Sequence, residues 1–230
     1  MPTDPKILGL ALLGGLVPAI FWLWFWLRED KEKPEPKVIL TITFILGMIA
    51  VLLVLPIQKL LQVNITSQVW QLVSYASVEE IIKLLAITLL LFHTKYLENP
   101  IDWAIYMITV ALGFAAMENV LFLIKPFSLN QSAVGLLTSQ LRFLGSTLLH
   151  AVSSGIIGIS LGLSFFLSGT KSFVYAILGI ILAIALHTAF NFFIMNSNGS
   201  DYFKVFAFLW VATIINMLLF EKLRKMSGEN

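Results

Sequence analysis

Seven times between residues 7 and 220 the sequence runs almost without charge for about twenty residues, the length at which a helix crosses a bilayer. The runs cover roughly 7–27, 38–57, 69–92, 101–124, 144–167, 172–195 and 203–220. In hydrocarbon every backbone N–H and C=O must find its partner within the protein, which leaves helices or closed barrels as spanning structures. Runs this long select the helix. Charged residues make up 12% of the chain and hydrophobic ones 58%, against about a quarter charged in a soluble domain. The expected fold is all-α: a polytopic membrane bundle of about seven transmembrane helices, one integral membrane domain over residues 1–230. The first run has no small-residue cleavage motif and ends in Trp22, Trp24 and Trp26. It reads as a retained span with an interfacial aromatic belt.

The breaks are chemically plain. Arg28 to Lys37 is a charge-and-proline cluster, Pro56 closes the second span, Asn99-Pro100 is a turn, and Lys125-Pro126 ends the fourth span. The stretch 128–143, with Val134, Leu136, Leu137, Gln140 and Arg142, reads as a re-entrant or interfacial helix leading into the fifth span. Lysine and arginine counting then places the N-terminus outside and the C-terminus in the cytoplasm of a multi-pass cell-membrane protein. A full crossing at 128–143 would reverse the parity. The net charge of +2 and the lack of a basic tract exclude a nucleic-acid partner, and the absence of cysteine excludes thiolate metal sites and a cysteine nucleophile.

The polar groups inside these runs are few. Glu79, Glu80 and Lys83 lie in the middle of the third, Glu118 in the fourth, His150 in the fifth and His187 in the sixth, with Asn191 one turn beyond. His93, at a span end, reads as interfacial. Glu79 and Lys83 are one helical turn apart and Glu80 also reaches Lys83, but one lysine cannot neutralise two carboxylates. At 1.5 Å per residue, Glu79 lies about 15 Å below the outer end of its span, Glu118 and His150 about 9 Å, and His187 about 12–14 Å. These groups can therefore meet at one level in the outer half of the bilayer. Unpaired, ionisable groups there would cost about 2.5 kcal/mol each. A shared polar centre is the economical arrangement. Ladders of small residues (Ser154, Gly158 and Gly162 below His150; Gly179 and Ala183 below His187) mark the faces where helices approach closely.

Glutamate and histidine without cysteine suit zinc bound by imidazole and carboxylate, with a further carboxylate as base. They equally suit a metal-free centre in which a buried carboxylate activates water. The motifs His-Glu-x-x-His and Gly-x-Ser-x-Gly are absent. Residue chemistry alone leaves a hydrolase, a proton- or ion-coupled transporter and a non-catalytic scaffold open. Transport is disfavoured because no repeat and no paired broken helices occur.

Glu79-Glu80-x-x-Lys83, Phe114-Ala115-x-x-Glu118-Asn119, His150 with its following Ser-Ser-Gly, and His187-x-x-x-Asn191 resemble, in order and spacing, the motifs of the PrsW family of intramembrane proteases. The resemblance covers about residues 69–195, the expected catalytic core. A distant similarity to the CAAX prenyl protease and bacteriocin-processing family stops at Glu118, where that group has histidine, and at Lys83, where it has arginine one position later. The resemblance implies an intramembrane endopeptidase that cuts membrane-anchored proteins such as anti-sigma factors. It implies that Glu79 and Glu80 are the activating carboxylates, with Lys83 in the same motif. Glu118, His150 and His187 would be metal ligands (zinc being the candidate) or proton partners, and Asn191 would orient His187 or stabilise an oxyanion. Helix geometry lets Lys83 neutralise Glu79 and free Glu80, whereas the prenyl proteases use the first glutamate of the pair. Oligomeric state is not encoded legibly.

Overall fold

Each apolar run folds as a helix. The structure, a computed structural model, describes residues 4–28, 34–92, 94–129, 131–196 and 201–228. His93 and residues 29–33 of the first loop lie outside the described residues. In chain order the helices are α1 (Pro5–Leu27), α2 (Lys37–Asn64), α3 (Gln68–Leu91), α4 (Pro100–Ser128), α5 (Ser132–Leu141), α6 (Thr147–Leu163), α7 (Thr170–Asn196) and α8 (Tyr202–Met226). A π-helical turn, Arg142–Ser146, joins α5 to α6. Among the described residues there is no strand.

Six helical segments are long and apolar enough to cross a membrane: α1, α2, α4, the run Ala133–Leu163, α7 and α8. The other long helix, α3, has 24 residues but carries Glu79, Glu80 and Lys83 near its middle. Together these make a polytopic membrane bundle. Exposed leucine, isoleucine, valine and phenylalanine side chains cover the outward faces of α1, α2, α7 and α8, as lipid contact requires.

Two boundaries differ from the sequence reading. Pro56 does not close the second span; α2 continues through it to Asn64. Likewise α4 runs through Pro126 to Ser128. A proline deletes one backbone donor, and membrane helices tolerate that loss where neighbours re-satisfy the freed carbonyl. The segment near 128–143 is helical over Ser132–Leu141 and leads through the π turn into α6, the fifth span, as its sequence suggested. The resulting 31-residue helix is about 46 Å long at 1.5 Å per residue. That length exceeds the roughly 30 Å thickness of the hydrocarbon core. Nor do the three tryptophans form a uniform belt. Trp24 is exposed, but Trp22 and Trp26 are buried, Trp22 against Phe143 and Trp210 and Trp26 against Phe220.

The hub is α4, which packs on α1, α2 and α6. Its start is fixed by Pro100 at the first turn and by Asp102, whose Oδ2 accepts the backbone N–H of Glu98 and Asn99, each at 2.7 Å. Its close approaches are made by missing side chains. A Cβ on Gly47 of α2 would lie 2.0 Å from Val110 O, and one on Gly113 of α4 would lie 2.0 Å from Phe44 O. On the opposite side, Gly158 and Gly162 of α6 rest on the carbonyls of Trp103 and Pro100. Backbone contact at these points holds α2, α4 and α6 close enough for short side chains to meet between them.

Candidate active site

The face of α3 that carries Glu79, Glu80 and Lys83 points inward, and all three are buried. Glu80 is fully buried and nearly saturated. Its Oε1 accepts Lys83 Nζ at 2.8 Å, His187 Nδ1 at 2.9 Å and Ser153 Oγ at 3.5 Å, while its Oε2 accepts Ser154 Oγ at 2.6 Å. The lysine therefore pairs one residue closer than the partner expected from helix geometry: with Glu80 at i, i+3, not Glu79 at i, i+4. The reason lies on α6 and α7, where serine and histidine donors gather around Glu80. Lys83 Nζ also reaches His150 Nδ1 at 3.0 Å and sits 4.5 Å from the centroid of the Phe114 ring.

Glu79 faces a different environment. Its Oε1 accepts Gln58 Nε2 from α2 at 2.8 Å. Its Oε2 is buried without a hydrogen-bond partner among the described residues, 3.6 Å from His187 Nε2 and 3.8 Å from His150 Nδ1. A carboxylate only accepts, so the His187 Nδ1 facing Glu80 donates to it, and the ring turns Nε2 toward Glu79. The two imidazoles meet edge to face, centroids 5.0 Å apart.

Glu118, on α4, stands across the His150 ring from Lys83. Its Oε2 takes His150 Nε2 at 3.1 Å and the guanidinium of Arg142. Arg142 also binds Asn119 Oδ1 and Ser146 Oγ, and Asn119 Nδ2 donates to Thr147 Oγ1 at 2.8 Å. The π turn lets Arg142 and Ser146 both face Glu118. Such single π turns gather at functional sites in other helices. Trp22 Nε1 of α1 secures the turn by donating to Phe143 O at 3.1 Å.

These groups line the inner end of a cavity of about 680 Å³ bounded by the α2–α3 corner, the end of α4, the π turn, the end of α7 and the start of α8. Glu79, Glu118, Arg142, His150, His187 and Asn191 all border it. Asn191 does not hold His187: Glu80 binds the Nδ1 of that ring, and Asn191 faces the cavity one turn away. Thus the structure brings together all seven residues singled out in the sequence. It adds Gln58, Arg142, Ser153 and Ser154. Of these, the two serines were visible beside His150 and Arg142 as a lone charge in an apolar stretch; Gln58 had no signal beyond being polar at the end of a span.

Three residues could together hold a metal. Glu79, His150 and His187, all buried, offer ligand atoms that lie within 4.8 Å of one another. The unpartnered Glu79 Oε2 is the kind of buried acceptor that a cation satisfies, and Glu80 on His187 Nδ1 is the carboxylate–histidine support usual behind a ligating imidazole. Two imidazoles and a carboxylate fit zinc. This set contains Glu79 in place of Glu118, whose carboxylate is engaged by Arg142.

Comparison with known proteins gives a consistent result. The family model described as PrsW family intramembrane metalloprotease matches residues 35–219. Protease PrsW of Shouchella clausii is 29% identical over 220 residues, 94% of this chain and 96% of its own length. Protease PrsW of Bacillus subtilis is 25% identical over 201 residues, 85% of this chain and 88% of its own. Protease PrsW of Oceanobacillus iheyensis is 30% identical over 158 residues, covering 66% and 67%. No solved structure matches.

Proposed function

The chain belongs to the PrsW family of intramembrane proteases, and on that premise we propose that it is an endopeptidase in which Glu79 activates water against a peptide bond drawn into the cavity beside His150 and His187. One observation carries the assignment to Glu79. Its Oε2 is the buried carboxylate oxygen left without a hydrogen-bond partner among the described residues, and it faces two imidazole nitrogens at the floor of the cavity. Glu80, enclosed by Lys83, His187, Ser153 and Ser154, holds His187 in one tautomer. Arg142 pairs with Glu118, which accepts His150 Nε2–H, and Asn191 borders the cavity where it can meet a developing oxyanion.

Zinc, if bound, would be held by Glu79, His150 and His187; Glu79 would then serve as a ligand, and the metal would take over activation of the water and supply Lewis acidity. The protein's own groups then orient the carbonyl and carry protons. Substrates, by resemblance, are membrane-anchored proteins of the anti-sigma-factor kind. We place the N-terminus outside and the C-terminus in the cytoplasm, from the lysine and arginine count, which sets the cavity in the outer half of the bilayer.

The test is cleavage of a membrane-anchored reporter by the purified protein in proteoliposomes, with elemental analysis of the same samples. Expected is hydrolysis by wild type and its loss in His187→Ala, with any bound zinc lost alongside. Solute uptake without hydrolysis, or full cleavage by His187→Ala, would overturn the reading.

A further inference from the structure

Gln58 lies two residues beyond Pro56, at the end of the second apolar run and at the edge of the cavity. Its amide donates to Glu79 Oε1 at 2.8 Å, a bond between α2 and α3. From this geometry we infer that Gln58 is a positioning residue for Glu79, fixing which carboxylate oxygen faces the histidines; the inference rests on the reading of Glu79 as the water-activating group.

The physical need is specific. The terminal torsion of a glutamate is broad and roughly two-fold, so packing of the chain leaves the carboxylate plane free to turn. Around Glu79 are groups that would compete for it. Lys83 lies on its own helix, His150 on α6, His187 on α7, and Glu118 with Arg142 on the far wall of the same cavity. A turn of the carboxylate plane would bring the wrong oxygen, or a poor angle, to His187 Nε2 and His150 Nδ1. One donor on Oε1 removes that freedom and leaves Oε2 aimed between the two rings. Gln58 suits the task because its amide is neutral. A lysine there would neutralise the acid, and an acid would repel it.

The experiment compares Gln58→Met, which keeps length and loses the donor, with Gln58→His, which retains a ring N–H. Steady-state cleavage, thermal unfolding in detergent and the infrared carboxylate bands of Glu79, identified by subtraction of Glu79→Gln, are read on each. Expected in Gln58→Met is a fall in kcat of about 10–100-fold, the range typical of a lost supporting contact, with KM and unfolding temperature held and the Glu79 bands shifted. Gln58→His is expected to recover part of kcat and return the bands toward wild type. Unshifted bands in a folded Gln58→Met would overturn the inference, as would a lowered unfolding temperature with kcat intact. If Glu79→Gln itself stays active, the reading of Glu79 fails while the band shift still reports whether Gln58 orders that carboxylate.

Discussion

A carboxylate offers about four lone-pair sites, and Glu80 gives its own to Lys83, His187, Ser153 and Ser154. Its neighbour Glu79 keeps one oxygen unclaimed among the described residues. Adjacent side chains on one helix thus take opposite parts, one holding the site together and the other facing the cavity. Lys83→Met is expected to leave Glu80 buried without its cation and to cost about 3–5 kcal/mol, read as a fall in unfolding temperature in detergent. An unchanged melt would show that Ser153, Ser154 and His187 suffice. Arg142→Ala releases Glu118 from its cation and removes the support behind His150 Nε2. Cleavage is expected to fall about 10–100-fold with the fold retained, and a normal rate would detach Glu118 from the chemistry.

At the scale of helices, the site depends on how near the backbones come. Gly113→Val puts a branched side chain where a Cβ would already lie 2.0 Å from Phe44 O. It must push α2 from α4, carrying Gln58 away from Glu79. The expected result is lost cleavage with a lowered melt, whereas Gly9→Ala, at a position with open space, leaves both unchanged. Much of this scale was legible in the sequence. Apolar run length located the helices, and the small residues below His150 and His187 pointed to the packed faces. What escaped were properties of neighbours. Pro56 and Pro126 read as stops, yet α2 and α4 carry through both because surrounding helices tolerate the missing donor. Helical spacing offered Lys83 to Glu79, with Glu80 also in reach, and the structure pairs it with Glu80. The choice came from Ser153, Ser154 and His187, on helices far along the chain. Gln58 and the π turn at Arg142 acquire meaning only once α2, α4 and α6 are in place.

For the whole molecule, counting α3 as a crossing beside the six other long segments, the proposed topology places the two termini on opposite sides, and a chain without cysteine allows this to be tested directly. A single cysteine at Thr3 is expected to react with an impermeant maleimide in intact cells, and one at Ser227 only after permeabilisation; the reverse pattern would put the cavity in the inner half of the bilayer. The depth of the centre is a consequence of the bundle: α3, α4, α6 and α7 run in alternating directions, yet bring Glu79, Glu118, His150 and His187 to one level. The most direct measurement is the single-turnover rate of reporter cleavage in proteoliposomes by Glu79→Gln, with its melting curve beside it. A drop of at least about 100-fold, the contribution of a general base, in a protein that melts like wild type is the expected result. Cleavage at the wild-type rate would contradict the assignment of Glu79 and return the chemistry to Glu80 or to the histidines.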